Sequence, residues 1–393
     1  MTAGEDRPRL LYFSSFGSGG LADYVREQAN ALARLGVEVD LLTSQAFSVR
    51  SGDAFRLRPE LIEISSGRSR ISTRPATVRR IISHYGRLAR LVGLENYRHV
   101  LLGSYEEYMA PFWTGPFRQL ARRGVVWGAV MHDPVRNYIV GPRWWHRRCI
   151  ASAYSFLREV FVHQPIVLDT VRPMPHLKTT VVPHGPYTFP AATVGREKYR
   201  GQLGLPVTAP VWLSFGHIRD GKNLDLVIRA LVHFPEAFLV VAGQEQSSGQ
   251  KRVAFYRALA RQCGVDRRCL WLNRFIAPEE VGNLFTACDL VMVTYNQNFH
   301  SASGVLNIAV SFRKPCLASG GSSNLQAVVS QYGLGIWVEP DREDALVEGL
   351  RRWQAAPPVP RWDLYAAENS WRRNAEIVRD RIFASDVCPV PSA

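Results

Sequence analysis

The stretch from Tyr295 to Ser319 constrains the fold more than any other part of this sequence. It follows an apolar run, Leu290 to Thr294, that is typical of a buried strand. Apolar residues then recur at spacings of three and four, which indicates one face of a helix: Val305, Leu306, Ile308, Ala309 and Phe312. Lys314-Pro315 ends this helix, and Cys316 begins another strand. The pattern predicts a strand–loop–helix–strand unit of an α/β domain.

The loop before this helix has the residues expected of an anion site. Ser301 or Ser303 can cap the helix, and Gly304 lets a ligand approach the backbone closely. A helix that begins there presents free N–H groups and the positive end of its dipole, which together attract phosphate. An ordinary strand–loop–helix unit fits this stretch alone equally well, so the assignment depends on the rest of the chain.

Length and composition indicate a globular protein with two domains. The 393 residues exceed what one typical core holds, and 46% of them are hydrophobic. We find no signal-peptide pattern at the N-terminus and no apolar run that approaches the roughly 20 residues of a membrane span. The net charge of +14 lies mostly in residues 1–185, which hold 25 Lys and Arg against 15 Asp and Glu. This excess suggests an anionic partner, such as nucleic acid, acidic lipid or a phosphorylated substrate.

The first residues predict the start of a parallel α/β domain. Residues 9–16 read as a strand, which the glycine turn Gly17 to Gly20 follows. A helix from Leu21 to Leu35 then leads to a second strand, Val37 to Thr43. The turn lacks the GxGxxG pattern of NAD-binding proteins, so the signal for that cofactor is weak. A turn needed only for chain reversal and a substrate-facing role for Gly19 and Gly20 both remain open.

Two basic segments raise the question of membrane contact. A predicted helix from Thr77 to Val92 groups four arginines opposite its apolar face: Arg79, Arg80, Arg87 and Arg90. The segment from Trp144 to Arg148 (WWHRR) combines tryptophan, which favours the membrane interface, with arginine, which favours phosphate. The alternative is a solvated basic face without a partner.

Polar groups follow several predicted strands, at the edge where open α/β sheets bind ligands. His132-Asp133 comes directly after the strand Val125 to Met131. In the second half of the chain, the strand Val211 to Phe215 is followed by a loop with Arg219 and Lys222. Cations in such a loop can reach a bound diphosphate. A structural histidine and a surface charge pair are the alternatives.

With these residues, the sequence resembles the GT-B glycosyltransferases, specifically the retaining group 1 family, over nearly the whole chain. The resemblance depends on the turn Gly19-Gly20, the loop from Phe215 to Asn223 and the segment from Ser301 to Ser319. The family's Glu-x7-Glu pair is missing, because His300 and Ile308 occupy its two places. The sequence is similar instead to the branch that has Ser-Gly-Val just before the donor-binding helix.

The resemblance implies an α/β fold with two Rossmann-like domains that face each other across a cleft. The expected acceptor-binding domain covers residues 1–188, and the expected nucleotide-sugar-binding domain covers residues 189–368. Residues 369–393 would form a C-terminal helix that crosses back to the first domain, and a tail.

The same resemblance implies the site residues. The expected donor-binding residues are Gly19, Gly20, Gly216, Arg219, Lys222, Ser303, Gly304 and Val305. The expected catalytic residues are His132, Arg219 and Lys222. Because Arg219 and Lys222 would neutralise the diphosphate, we expect neither a metal nor another cofactor. If the enzyme inverts instead of retaining, the candidate bases are Asp133, Glu106 and Glu107.

We therefore expect an enzyme that moves a sugar from a nucleoside diphosphate sugar to an acceptor, in polysaccharide, glycolipid or glycoside biosynthesis. The acceptor would be a sugar, a lipid-linked glycan or a small molecule. An epimerase of the same fold and a non-catalytic nucleotide-sugar-binding protein are the alternatives. Nucleic acid is not an expected partner, because the basic face of the Thr77–Val92 helix has no interleaved aromatics. We expect a cytoplasmic location, peripheral on the inner face of the cell membrane if this face meets anionic lipid.

Overall fold

The computed structural model describes residues 7–62, 74–136, 139, 141–245 and 249–384. The chain divides into two compact units. Unit 1 comprises Met1–His184 and Asn369–Ala393, and unit 2 comprises Gly185–Glu368.

Unit 1 is built on a parallel sheet of seven strands in the order β3-β2-β1-β4-β5-β6-β7. The strands are β1 (Arg9–Phe13), β2 (Glu38–Ser44), β3 (Arg56–Leu61), β4 (His99–Leu102), β5 (Val126–Val130), β6 (Glu159–Val162) and β7 (Lys178–Val181). The helices are α1 (Gly20–Arg34), α2 (Arg74–Leu94), α3 (Ala110–Arg122), α4 (Arg143–Tyr154) and the C-terminal α13 (Trp371–Ile382). After Arg9, strand β1 is apolar because both of its faces are covered: Leu11, Tyr12 and Phe13 are fully buried.

Unit 2 contains a parallel sheet of six strands in the order β10-β9-β8-β11-β12-β13. The strands are β8 (Val211–Phe215), β9 (Phe238–Ala242), β10 (Cys269–Leu272), β11 (Leu290–Thr294), β12 (Cys316–Ser319) and β13 (Gly335–Trp337). The helices are α5 (Arg196–Gln202), α6 (Leu224–Ala230), α7 (Val253–Gln262), α8 (Pro278–Ala287), α9 (Gly304–Ser311), α10 (Leu325–Tyr332), α11 (Glu343–Ala355) and α12 (Trp362–Glu368). The predicted α/β fold with two Rossmann-like sheets is confirmed.

The C-terminal helix α13 packs against α1 in unit 1, as predicted. Its Asn374 is fully buried and ends a chain of polar contacts. Gln28 donates to the Asn374 side-chain oxygen at 2.6 Å, and Asn374 donates to the Tyr24 hydroxyl at 3.1 Å and to the Pro183 carbonyl at 2.7 Å. Because every polar atom in this chain of contacts is used, the helix has one defined position on the unit.

Both sheets reverse their strand order at one point, between β1 and β4 in unit 1 and between β8 and β11 in unit 2. Such a reversal opens a crevice beyond the carboxyl ends of the strands, where ligands bind in open α/β sheets. In unit 2 the crevice is bordered by the loop after β8, with Arg219 and Lys222, and by the loop after β11, which ends at Ser303. The loop after β1 in unit 1 contains Gly19.

Candidate active site

The loop after β8 and the start of α9 bring three predicted site residues together. Gly216 has a φ of +87°, in the left-handed region that side chains disfavour. A Cβ added to Gly216 would lie 3.2 Å from Lys222 Nζ and 3.9 Å from a methyl group of Val305. The glycine therefore allows the Lys222 ammonium to lie against the backbone, beside the first turn of α9.

The Lys222 ammonium is buried, and it donates a hydrogen bond to the carbonyl of Phe215. Burial, assisted by the neighbouring charge of Arg219, lowers the pKa of Lys222 to about 7. A diphosphate beside it would favour the charged form and return the pKa toward its usual range.

Arg219 lies on the side of this loop that faces the loop after β11. Its guanidinium is 6.0 Å from the centre of the Tyr295 ring, and Tyr295 stacks on Phe299 with ring centres 3.8 Å apart. The Tyr295 hydroxyl is 2.9 Å from the Ser303 hydroxyl. One buried tyrosine thus connects the arginine to the residue that caps α9.

The residue that caps α9 is Ser303, one of the two serines that the sequence offered for this role. Its hydroxyl oxygen accepts a hydrogen bond from the N–H of Leu306 at 3.1 Å. With the Tyr295 contact, the Ser303 hydroxyl has two partners within the protein, so its role is to begin the helix. Gly304 and Val305 start the helix and are partly exposed, so their N–H groups are the ones placed to meet an anion.

Asp341, which the sequence did not single out, joins the two loops of the site. Its carboxylate accepts from the Asn223 side chain and from the Gln297 N–H, both at 2.9 Å. A hydrogen bond of 2.9 Å from the Thr294 hydroxyl to the Lys222 carbonyl adds a second link. These contacts fix the loop after β8 relative to the loop after β11.

A cavity of about 230 Å³ lies beside Arg219 in unit 2. It is lined by Arg219, Gly221, Gln250, Asn296, Asn298 and Phe299. Three carboxamides, a guanidinium and an aromatic ring can hydrogen-bond to hydroxyl groups and cover the apolar face of a sugar. None of the carboxamides was predicted, since isolated Asn and Gln residues in loops give no sequence signal.

In unit 1, His132 follows β5 and packs edge-on against Tyr24, with ring centres 4.5 Å apart. Its Nε2 is buried and has no hydrogen-bond partner in the part of the chain that the structure describes. Burial, and then the nearby His163 and His184, lower the pKa of His132 well below its usual value. His132 is therefore neutral at pH 7, with one ring nitrogen ready to bond a ligand.

The surroundings of His132 were not predicted. His163 lies 5.5 Å from His132 and 5.1 Å from His184, measured between ring centres, and Trp371 lies 5.4 Å from His184. His132 and His163 follow β5 and β6, His184 ends the first segment of unit 1, and Trp371 begins α13. Only the folded chain therefore brings these rings together. Gly19 and Gly20 lie at the start of α1, the helix that contains Tyr24, and Gly19 has a φ of +82°.

The candidate bases for an inverting reaction differ in their surroundings. Glu107 forms an ion pair with Arg136 through both carboxylate oxygens, at 2.6 and 2.5 Å, and accepts from the Tyr154 hydroxyl at 2.8 Å. It is therefore a structural group. Burial, and then the charge of Glu107, raise the pKa of Glu106. Asp133 is exposed.

The two positions that replace the Glu-x7-Glu pair have different environments. His300 Nδ1 is 2.9 Å from the Ser322 hydroxyl, in the loop after β11. Ile308 lies within α9 and is 7% exposed, so it belongs to the interior of unit 2. An apolar residue in this place cannot hydrogen-bond a ribose, which leaves ribose recognition to other groups.

The described residues contain no cluster of three or more His, Cys, Asp or Glu side chains arranged to hold a metal ion. None of the described helices is long and apolar enough to cross a membrane. On α2, Arg87 pairs with Glu60 at 2.5 Å, so one of the four arginines predicted to form a basic face is neutralised.

Residues 195–375, which contain the donor-side loops, match the family described as "Glycosyl transferases group 1". Residues 195–375 therefore form a group 1 glycosyltransferase domain. A D-inositol 3-phosphate glycosyltransferase of Xylanimonas cellulosilytica is 32% identical over 111 residues, which cover 28% of this chain and 26% of that protein. A GDP-mannose:glycolipid 4-beta-D-mannosyltransferase of Xanthomonas campestris pv. campestris is 28% identical over 171 residues, 42% of this chain and 46% of that protein. The chain therefore spans less than half of these two relatives.

Among solved structures, Anabaena Alr3699/HepE in complex with UDP is similar over 95% of this chain and 98% of its own. The TM-score is 0.65 and the sequence identity 15%. At this identity the likeness concerns the fold, which is the GT-B fold that the sequence resemblance implied.

Proposed function

We propose that this protein is a group 1 glycosyltransferase that transfers a sugar from a nucleoside diphosphate sugar to a hydroxyl group of an acceptor, with retention of configuration. The observation that carries the proposal is the meeting of Lys222 with Gly216 and Val305 at the start of α9. The site offers an ammonium, a nearby guanidinium and free helix N–H groups on one edge of unit 2. A diphosphate is the chemical group that uses all three.

The same groups would act on the reaction itself. The bond between the sugar and the diphosphate breaks, and its electron pair leaves with the diphosphate. The acceptor oxygen forms the new glycosidic bond, and its proton passes to the departing diphosphate. Negative charge on the diphosphate grows as the bond breaks, so Arg219, Lys222 and the N–H groups of Gly304 and Val305 bind the transition state more tightly than the ground state. This role makes Arg219 and Lys222 catalytic groups. It also supplies charge compensation without a divalent metal, which we propose the enzyme does not need.

We assign the other predicted residues positioning or binding roles. Gly216 leaves room for the Lys222 ammonium, and Ser303 begins the helix whose N–H groups meet the phosphate. The cavity beside Arg219 suits a sugar, because its carboxamides can pair with hydroxyl groups. His132 in unit 1 would bond a sugar hydroxyl as a neutral imidazole. Gly19 and Gly20 would allow the substrate to approach the start of α1.

The acceptor that we propose is a lipid-linked glycan or a phosphorylated polyol, bound by unit 1. The support comes from the names of the two relatives, a glycolipid mannosyltransferase and an inositol phosphate glycosyltransferase. The basic excess of residues 1–185 fits either acceptor. We also propose a cytoplasmic location, peripheral at the inner face of the cell membrane, on the ground that acidic lipid attracts the same charge.

A transfer assay tests the proposal. The protein is incubated with UDP- and GDP-sugars, alone and with lipid-linked and inositol phosphate acceptors, and the products are analysed by mass spectrometry and NMR. We expect transfer with retention in the wild type, strong loss in Lys222→Met, and little change in Lys198→Met, since Lys198 is exposed on α5. Because Glu106 is a candidate base only for an inverting reaction, Glu106→Gln should keep most of the activity if the enzyme retains configuration. An isomerised sugar without acceptor would identify an epimerase, and tight donor binding without turnover would identify a binding protein.

A further inference from the structure

An exposed aromatic and basic surface lies on α4 and the first turn of α3. We call it the α4 patch, and it consists of Phe112, Arg143, Trp144, Trp145, Arg147 and Arg148. Trp144 is 67% exposed and Phe112 is 59% exposed, although both are large apolar side chains. Exposed aromatic groups that lie side by side on a protein surface usually mark a binding surface.

The aromatic rings of the patch form one continuous group. Trp145 is in the centre, with its ring centre 5.6 Å from that of Phe112 and 5.9 Å from that of Trp144. Gly141 lets Trp145 lie close to the backbone, because a Cβ on this glycine would lie 3.3 Å from the indole. The aromatic surface is thus preformed.

The arginines border the aromatic group on the exposed side of α4. At 3.6 residues per turn, Arg143, Trp144, Arg147 and Arg148 fall within an arc of about 140°. The opposite side packs into unit 1 through Cys149, Ile150 and Ala153, all fully buried. Within the described ranges, no carboxylate pairs with any of the three patch guanidinium groups. Their positive charge therefore faces outward uncompensated.

Helix α2, the other basic segment for which the sequence suggested membrane contact, lacks this combination. Its Arg87 pairs with Glu60, and its aromatic residue Tyr85 is 2% exposed. Arg79 and Arg90 are exposed, but no exposed ring accompanies them on the described part of α2. Electrostatic attraction without an apolar anchor is weak at physiological salt.

We infer that the α4 patch docks the protein on an anionic lipid bilayer, with the aromatic rings at the interface and the arginines on lipid phosphates. Indole rings favour the boundary between headgroups and acyl chains, and arginine binds phosphate through two N–H groups. The inference makes the proposed peripheral location specific to one surface of unit 1.

Vesicle co-sedimentation of the full chain, without donor or acceptor, tests this surface. The vesicles contain phosphatidylcholine alone or with phosphatidylglycerol. We expect the wild type to bind the anionic vesicles, and to be released by high salt. The variant Arg143→Gln/Arg147→Gln/Arg148→Gln should bind about 100-fold more weakly, since each of the three arginines contributes about fivefold in partition near such a surface. Trp144→Ser should also lose binding and should keep the melting temperature of the wild type, because Trp144 is exposed.

Two control variants remove charge elsewhere. Arg229→Gln/Arg261→Gln/Arg267→Gln removes three exposed arginines from unit 2, and Arg79→Gln/Arg90→Gln removes the exposed pair of α2. Both should bind like the wild type. The inference is overturned if the α4 patch variants sediment like the wild type, if only the α2 variant loses binding, or if neutral vesicles bind equally well. It is also overturned if the patch variants keep vesicle binding and lose binding to a single-stranded oligonucleotide.

The transferase proposal is tested separately. Patch variants that lose vesicle binding should keep full activity toward a water-soluble acceptor. A wild type that binds vesicles but transfers no sugar would refute the proposed function and leave the α4 patch as a membrane surface.

Discussion

The Lys222 ammonium donates a hydrogen bond to the carbonyl of Phe215, seven residues earlier in the chain. This contact folds the loop after β8 back on itself and directs the lysine toward the first turn of α9. Burial lowers the pKa of Lys222 because water no longer solvates the charge. The Lys222 ammonium is thus already in position for an anion at the start of α9.

Replacement of either cation should reduce activity far more than stability. For Lys222→Met and Arg219→Ala we expect kcat/KM to fall by about ten- to 150-fold, the equivalent of about 1.5–3 kcal/mol for one charge-assisted hydrogen bond. Methionine suits a buried position, so the melting temperature of Lys222→Met should not fall. Steady-state kinetics and thermal unfolding measure the two quantities, with Lys198→Met as the control. Unchanged kinetics in both variants would remove these residues from the site.

The low pKa of Lys222 predicts a pH dependence of stability. The folded-state pKa of about 7 lies below the unfolded value of 10.5, so between these values the unfolded chain binds the extra proton. Stability should therefore rise with pH from about 7 toward 10, by at most about 1.4 kcal/mol per pH unit from this group. Urea unfolding of the wild type and of Lys222→Met at several pH values measures the slope. Above pH 7 the stability of the wild type should rise relative to that of Lys222→Met, and parallel curves would contradict the buried lysine.

Gly243, at the end of β9, should be essential for the position of the Gly216 loop. A Cβ on Gly243 would lie 2.1 Å from the Gly216 carbonyl oxygen, and its φ is +151°. Because the obstructing atom belongs to the backbone, Gly243→Ala must displace the loop, and we expect a loss of more than about 1 kcal/mol in stability together with weaker donor binding. Gly201→Ala on α5 is the control, since no atom lies within 4 Å of a Cβ there. Equal stability of the two variants would count against this packing.

Activity should survive removal of divalent metals. The charge compensation comes from Arg219, Lys222 and the start of α9, whose N–H groups carry partial positive charge. Transfer assays with and without EDTA measure the effect. Complete loss with EDTA and recovery with manganese would show that the diphosphate is bound differently.

The strands at the centres of the two sheets were predictable. The bounds of β8 and β11 agree with the apolar runs in the sequence, because a strand covered on both faces is apolar along its length. Strands β3, β7 and β13 lie at the sheet edges and were missed. Their sequences, RLRPEL, KTTV and GIW, are polar or short, since an edge strand needs less apolar surface.

Residues 190–198 read as a linker in the sequence, but they are part of unit 2. The N–H groups of Thr193 and Val194 donate to the Asn283 side chain at 2.9 and 3.1 Å, and α5 begins at Arg196. Proline and small polar residues there resemble a flexible connection. The buried amide of Asn283 that fixes them lies far away in the sequence, so no local pattern shows it.

The site residues also divide into those that a local sequence pattern could predict and those that it could not. Gly216, Lys222 and Val305 meet because each lies at a strand end or helix start, and such positions can be read from sequence. Gln250 and Asp341 come from distant segments, and so do His163 and His184 in unit 1. Their places depend on tertiary packing, which spacing along the chain does not encode.

The diphosphate site at Lys222 is tested most directly by the binding of nucleoside diphosphates to the metal-free protein, measured as a change in its thermal unfolding. UDP or GDP at about 100 times its dissociation constant should stabilise the wild type by about 2.7 kcal/mol, a clear rise in melting temperature. The double variant Arg219→Ala/Lys222→Met should show no rise, whereas Lys198→Met should behave like the wild type. An equal rise in the double variant, or no rise in the wild type with any nucleoside diphosphate, would contradict a diphosphate site at Lys222.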